Sequence, residues 1–189
     1  MRRKSQLKLS LLPLACTLAC NSALAQEEQL ALEEIVVTAQ KRVQSLEDVP
    51  MSVSAITGDA VNDYLGGSQD IRALAARVPG LNVETSNGRT QPRFYLRGLG
   101  NIDFDVNANQ PVAMVFDDIY LENNVLRSIP LFDIERVEVL KGPQGTLFGR
   151  NTNAGAIKID SVRPGEERDG YVTLAYGSRG TLNMEAASN

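Results

Sequence analysis

The 189-residue chain carries 19 basic and 23 acidic side chains, a net charge of −4, and no histidine. The acidic balance argues against nucleic acid as a partner, and general acid–base or metal chemistry would have to proceed without the side chain it most often uses. Both cysteines, Cys16 and Cys20, lie within the first 25 residues, so the rest of the chain has no thiol, disulfide or sulfur metal site.

Those first 25 residues have the three parts of a secretory leader. Arg2, Arg3, Lys4 and Lys8 make a basic start, 9–19 an apolar middle, and Ala23, Leu24 and Ala25 a small-residue cleavage site. A competing lipoprotein reading, with acylation at Cys20, is disfavoured because Thr17 stands where such signals carry Leu. The apolar run falls short of the roughly 20 residues of a spanning helix. An exported chain beginning near Gln26 keeps 15 basic against 23 acidic side chains, a balance of −8, in one domain's worth of sequence.

Residues 26–49 read as a mobile acidic segment with one strand-former in it. Ile35, Val36, Val37 and Thr38 are four β-branched residues in a row, with Glu33 and Glu34 before them and Gln40, Lys41 and Arg42 after. No sequence beside them supplies a partner strand. Two uses stay open: addition to the open edge of another protein's sheet, or service as the first strand of the following domain. Residues 41–48 are polar and end at Pro50, which reads as a linker able to reach about 30 Å.

The domain is expected at 50–165. Met51, Val53 and Ala55 alternate as in a half-buried strand. Thr57 and Asp59 suit the start of a helix with Val61, Tyr64 and Leu65 on one face. Ser68 suits the cap of a second helix carrying Ile71, Leu74, Ala75 and Val78. From Leu81 the texture turns to strands: 81–84 and 93–97 around a polar tip, 112–116 apolar throughout and so central in its sheet, 136–140 alternating, and 156–160 with Ile157 and Ile159 on one face. Between them lie a long polar loop at 101–110, a turn at 142–145 with Pro143 presetting its first bend, and a glycine-flanked stretch at 149–155. A polar joint at 163–169 leads to a hairpin, 171–176 and 181–186, whose outer edges nothing covers. The reading is an α+β fold.

Several motifs now fall in an order that resembles the N-terminal part of TonB-dependent outer-membrane receptors. Glu34, Ile35, Val36, Val37, Thr38 and Ala39 resemble the TonB box. Leu96, Arg97, Gly98, Leu99 and Gly100 resemble the plug's Arg-Gly signature, and the stretch from Asp133 through Lys141, Gly142 and Pro143 to Asn153 resembles its longest signature. The resemblance runs from about residue 34 to the end. It implies a small mixed-sheet plug domain with short helices, followed at 166–189 by the first strands of a truncated transmembrane β-barrel of about 22 strands. It implies TonB as a periplasmic partner by strand addition, a ferric siderophore or other small nutrient as ligand, and the barrel domain as the plug's housing in the cell outer membrane. It implies carboxylates on the barrel wall for Arg97 and Lys141. The family's usual Arg is Lys here, which keeps the charge and loses the two-pronged geometry. Another departure is Asp117-Asp118 where Asp-Gly is frequent. Outer-loop residues Asn87, Arg89, Asn101, Asp103, Asn123 and Asn124 are candidates for the ligand by placement.

Two strands cannot close a barrel, which needs at least eight, so the chain is expected to be a fragment or a short product. The alternative function is a stand-alone periplasmic module that binds ligand or TonB without transport. No cofactor and no catalytic residue is expected. Asp103, Asp105, Asn107 and Asn109 imitate the start of a calcium loop, but Ala108 and Met114 stand where Gly and Glu are required. Neither the glycines from 142 to 155 nor Gly98-Leu99-Gly100 completes a phosphate or dinucleotide fingerprint. Asp117 and Asp118 face opposite ways if extended.

Overall fold

The computed structural model describes residues 35–188 apart from 59, 62–69, 86, 87, 89 and 106. The leader, Glu34, Asn87, Arg89, Ser68 and most of the first expected helix lie outside the described residues. In chain order the strands are β1 (Val36–Val37), β2 (Gln44–Ser45), β3 (Ser52–Thr57), β4 (Leu81–Glu84), β5 (Arg93–Leu96), β6 (Val112–Phe116), β7 (Ile119–Tyr120), β8 (Ile134–Lys141), β9 (Gly155–Ser161), β10 (Gly170–Tyr176) and β11 (Leu182–Ser188).

Five strands make the central sheet, in the order β3-β8-β9-β6-β7. β6 and β9 run parallel and every other neighbouring pair antiparallel. Strand alternation then builds two different faces. On the first, Val137, Val139, Ile157, Ile159, Val112 and Met114 meet Ile71, Leu74, Phe94 and Leu96 in the main core. On the second, Leu140, Ala156 and Ala113 form a smaller apolar floor beneath Val37, Ala39 and Val49. β9 is buried from Gly155 to Asp160, as a strand covered on both sides must be.

The expectation of strands at 81–84 and 93–97 around a tip is met by β4 and β5, which pair with each other. The second expected helix is present in a tighter form, a 3-10 helix at Ile71–Ala76. Asp70, not Ser68, is its cap, its carboxylate accepting from Arg72 N at 3.0 Å. Ile71 and Leu74 are three apart, a spacing that a three-residue turn satisfies as well as an α-helix does.

The reading of residues 34–39 as an unpaired strand and 41–48 as a linker is corrected. β1 pairs antiparallel with β2, Val36 opposite Ser45 and Val37 opposite Gln44. Lys41 N donates to Thr38 O at 2.8 Å, and Lys41 takes a φ of 57°, so the chain turns back at once. A further 3-10 turn follows at Leu46–Asp48. The polar residues misled because this hairpin lies on the sheet with one side to solvent: Val43 is 74% exposed while Val37 and Ala39 are fully buried.

β10 and β11 pair over seven residues each and are mostly exposed. Among the described residues no helix is long and apolar enough to cross a membrane. That says nothing of a crossing by strands.

Candidate functional site

Thr38 is the point at which the N-terminal hairpin is fastened to the sheet. Its backbone N donates to Glu138 Oε1 at 2.6 Å. Its hydroxyl lies 3.2 Å from the same oxygen and 3.3 Å from Asp160 Oδ2, and accepts from Lys158 Nζ at 2.8 Å. Lys158 in turn reaches both Asp160 oxygens at 2.5 Å, and Arg136 Nε lies 3.3 Å from Asp160 Oδ2. The sheet register explains the grouping. Glu138 lies opposite Lys158 and Arg136 opposite Asp160 across β8 and β9, all on the second face. Glu138, Lys158 and Asp160 are buried. Burial pushes the Glu138 carboxyl above its usual range, against the pull of the Thr38 N–H and the Lys158 charge.

Arg97 and Gly98 form the two central positions of a tight turn, at φ 53° and 80°, closed by Leu96 N to Leu99 O at 2.9 Å and Leu99 N to Leu96 O at 3.0 Å. Both angles are left-handed, as a primed hairpin turn requires. The turn presents Arg97 to solvent beside Lys141, and the two line a cleft of about 620 Å³ with Gln40, Arg42, Gly142 and Gln144. Among the described residues its lining holds three cations and no carboxylate. Burial and then the Arg97 charge push the Lys141 ammonium below its usual value. The sequence-predicted pair is therefore brought together, facing out and short of an anion.

Residues 45–156 match the model of the TonB-dependent receptor plug domain. The chain belongs to that family. The pesticin receptor of Yersinia pestis is 31% identical over 82% of this chain and 22% of its own length. The vitamin B12 transporter BtuB of Vibrio vulnificus (strain CMCP6) is 30% identical over 92% of this chain and 28% of its own. Among solved structures, the ferric yersiniabactin uptake receptor FyuA from Yersinia pestis has a TM-score of 0.63 at 27% identity, over 71% of this chain and 20% of that one. The chain thus spans between 20% and 28% of the length of these relatives. The family is one of receptors of the cell outer membrane, not of enzymes.

In this plug domain the candidate ligand residues are mostly engaged in holding their own loops. Asn101 Nδ2 donates to Asn109 O at 2.7 Å, and its Oδ1 accepts from Asp103 N at 2.9 Å. Asp103 Oδ1 accepts from Asp105 N at 3.0 Å, and Asn123 Oδ1 from Val125 N at 2.9 Å. Asn124 is buried and donates to Ala108 O at 3.3 Å, which ties the 101–110 loop to the 3-10 turn at Asn124–Ser128. Beneath them the buried guanidinium of Arg127 donates to Val112 O at 3.0 Å. Among the described residues no cluster of acidic side chains is placed to hold a metal ion.

Sequence reasoning passed over Glu138, Lys158 and Asp160. A signal was available. With Ile157 and Ile159 assigned to one face of a central strand, Lys158 and Asp160 had to be buried on the other, and charges buried there demand partners.

Proposed function

We propose that the chain is the plug and coupling segment of an outer-membrane receptor that imports a scarce nutrient, a ferric siderophore or similar small ligand, using TonB as the energised periplasmic partner. In this reading residues 34–39, namely Glu34, Ile35, Val36, Val37, Thr38 and Ala39, are the TonB box. The observation that carries it is the way this segment is attached. Its ladder is two residues long and belongs to a hairpin outside the five-stranded sheet, so it can detach while the sheet's own hydrogen bonds stay intact.

The steps follow from that attachment. Ligand arriving at the outer loops, for which Asn87, Arg89, Asn101, Asp103, Asn123 and Asn124 are the sequence candidates, shifts the plug and frees the segment. The freed strand then pairs with TonB by backbone hydrogen bonds, and a pull on it rearranges the plug. Arg97 and Lys141 meet carboxylates of the barrel wall and hold the plug in place meanwhile. The names of the relatives support the ligand class: one takes up ferric yersiniabactin and another vitamin B12.

Proline at Val36 or Val37 removes a ladder N–H and fixes φ, so full-length receptor carrying V36P or V37P is expected to lose capture by the TonB C-terminal domain in a pull-down. Undiminished capture would refute the pairing role.

A further inference from the structure

Beyond the Arg97–Gly98 turn the chain runs back along β5. Leu99 exchanges two backbone hydrogen bonds with Leu96, and there the ladder stops. Side chains of β5 hold the residues that follow. The Tyr95 ring lies under Gly100 and leaves no room there for a Cβ. The Tyr95 hydroxyl is 3.1 Å from Asn101 O and 2.9 Å from Glu84 Oε2, two acceptors for its one proton. Arg93, buried and opposite Glu84 across β4 and β5, pairs with the other oxygen of that carboxylate at 2.7 Å. From Nη1 it also donates to Asp103 O at 3.4 Å and Ile102 O at 3.5 Å, and its guanidinium lies 4.1 Å from the centre of the Phe104 ring. Apolar burial contributes little to this attachment, because Ile102 is 78% and Phe104 59% exposed.

We infer that Arg93 is a positioning residue for the 101–110 loop: with Tyr95, and through the Glu84 carboxylate between them, it fastens 100–104 to β5 and so sets where Asn101 and Asp103 stand. The planar fork of the guanidinium is what the task requires. One group meets a carboxylate, two carbonyl oxygens and a ring face together, which a compact ammonium does not. That the loop serves a ligand rests on the function proposed above. The fastening does not, and its test uses no ligand.

In full-length receptor with a nitroxide on Ile102→Cys as its one thiol, electron paramagnetic resonance reads the ratio of mobile to restrained label. R93Q should raise that ratio about tenfold, the scale of losing hydrogen bonds to a charged group. R93K, which keeps the charge beside Glu84 and gives up the fork, should fall between R93Q and the parent. F104L should raise it about threefold, the scale of an exposed cation–π contact, whereas F104W, which offers the better ring face, should leave it unraised. A nitroxide on Val125→Cys, exposed on the 3-10 turn at Asn124–Ser128, should read the same in every background. A role confined to the stability of the plug would move both labels. If R93Q does so, F104L and F104W carry the test, since they leave the Arg93–Glu84 pair in place. An unchanged ratio at position 102 in R93Q or F104L, or the same rise in F104W as in F104L, overturns the assignment. Failure of the ligand reading would leave all of these ratios as they are.

Discussion

Glu138 stands between two opposing effects. Burial disfavours its charge, while the Thr38 N–H and the Lys158 ammonium favour it, and burial is the larger. An acid whose folded-state pKa lies above its unfolded value costs the fold as it ionises. The cost grows as pH rises from the ordinary value of 4.5 toward the folded pKa and is complete above it. E138Q removes that cost, so its stability relative to wild type should be higher at pH 7 than at pH 4. Hydrogen exchange of β8 and β9 amides, compared between the two proteins at each pH, measures the difference. Lys158, Asp160 and Arg136 face the same point and are common to both proteins, so they do not create the slope. A difference that stays flat with pH, or grows toward acid, would contradict the account. How much of this site the sequence disclosed is plain at the same residue. The alternation of 136–140 gave the strand and its faces, yet nothing local says that Glu138 finds Thr38 a hundred residues away. That contact exists only once β1 is laid on the second face.

At the scale of elements, the turn between β6 and β7 has both central residues left-handed, Asp117 at φ 45° and Asp118 at φ 65°. A primed turn demands this, and glycine meets it without strain. Asp117 has a reason to stay, because its carboxylate accepts from Ser161 N and Ser161 Oγ, each at 2.8 Å, tying the turn to the end of β9. No hydrogen bond from the Asp118 side chain offsets its conformation among the described residues. D118G should therefore stabilise the plug by up to about 1 kcal/mol, the scale of a left-handed penalty for a side chain, while D117G should not. Opening free energies from hydrogen exchange of β6 and β7 amides check this, and a destabilised D118G would be against it. The sequence marked this turn by its departure from Asp-Gly. It also marked four of the five strands of the central sheet, all but β7, because their apolar patterning reflects burial on known faces. It missed the β1–β2 hairpin because two residues of ladder leave too short a pattern to see, and it missed the helix at Gly145–Phe148 for the same reason. Gly155 is legible only in three dimensions: a Cβ there would lie 2.2 Å from the Leu140 carbonyl oxygen and 2.5 Å from Leu96 Cδ2.

For the molecule as a whole, the two surfaces of interest carry opposite needs. The second face is filled by the chain's own segment. The cleft with Arg97 and Lys141 holds cations, and burial and then the Arg97 charge depress Lys141, so the plug alone gains nothing from keeping both. In the function proposed above, their value lies in a partner that brings carboxylates. In full-length receptor, R97Q combined with K141Q should loosen the seat of the plug and speed tryptic cleavage in the exposed joint after Arg168. Unaltered cleavage would mean that the pair does not anchor the plug. In the function proposed above, the coupling segment and the anchor divide one task, since a pull on the first moves the plug only if the second yields in turn. The most direct test places a photo-crosslinking side chain at Ile35, which is 42% exposed and so tolerant of the change, in full-length receptor in living cells. A crosslink to TonB that strengthens when ligand is supplied is the expected result. Crosslinks confined to the receptor's own chain, with and without ligand, would contradict the account.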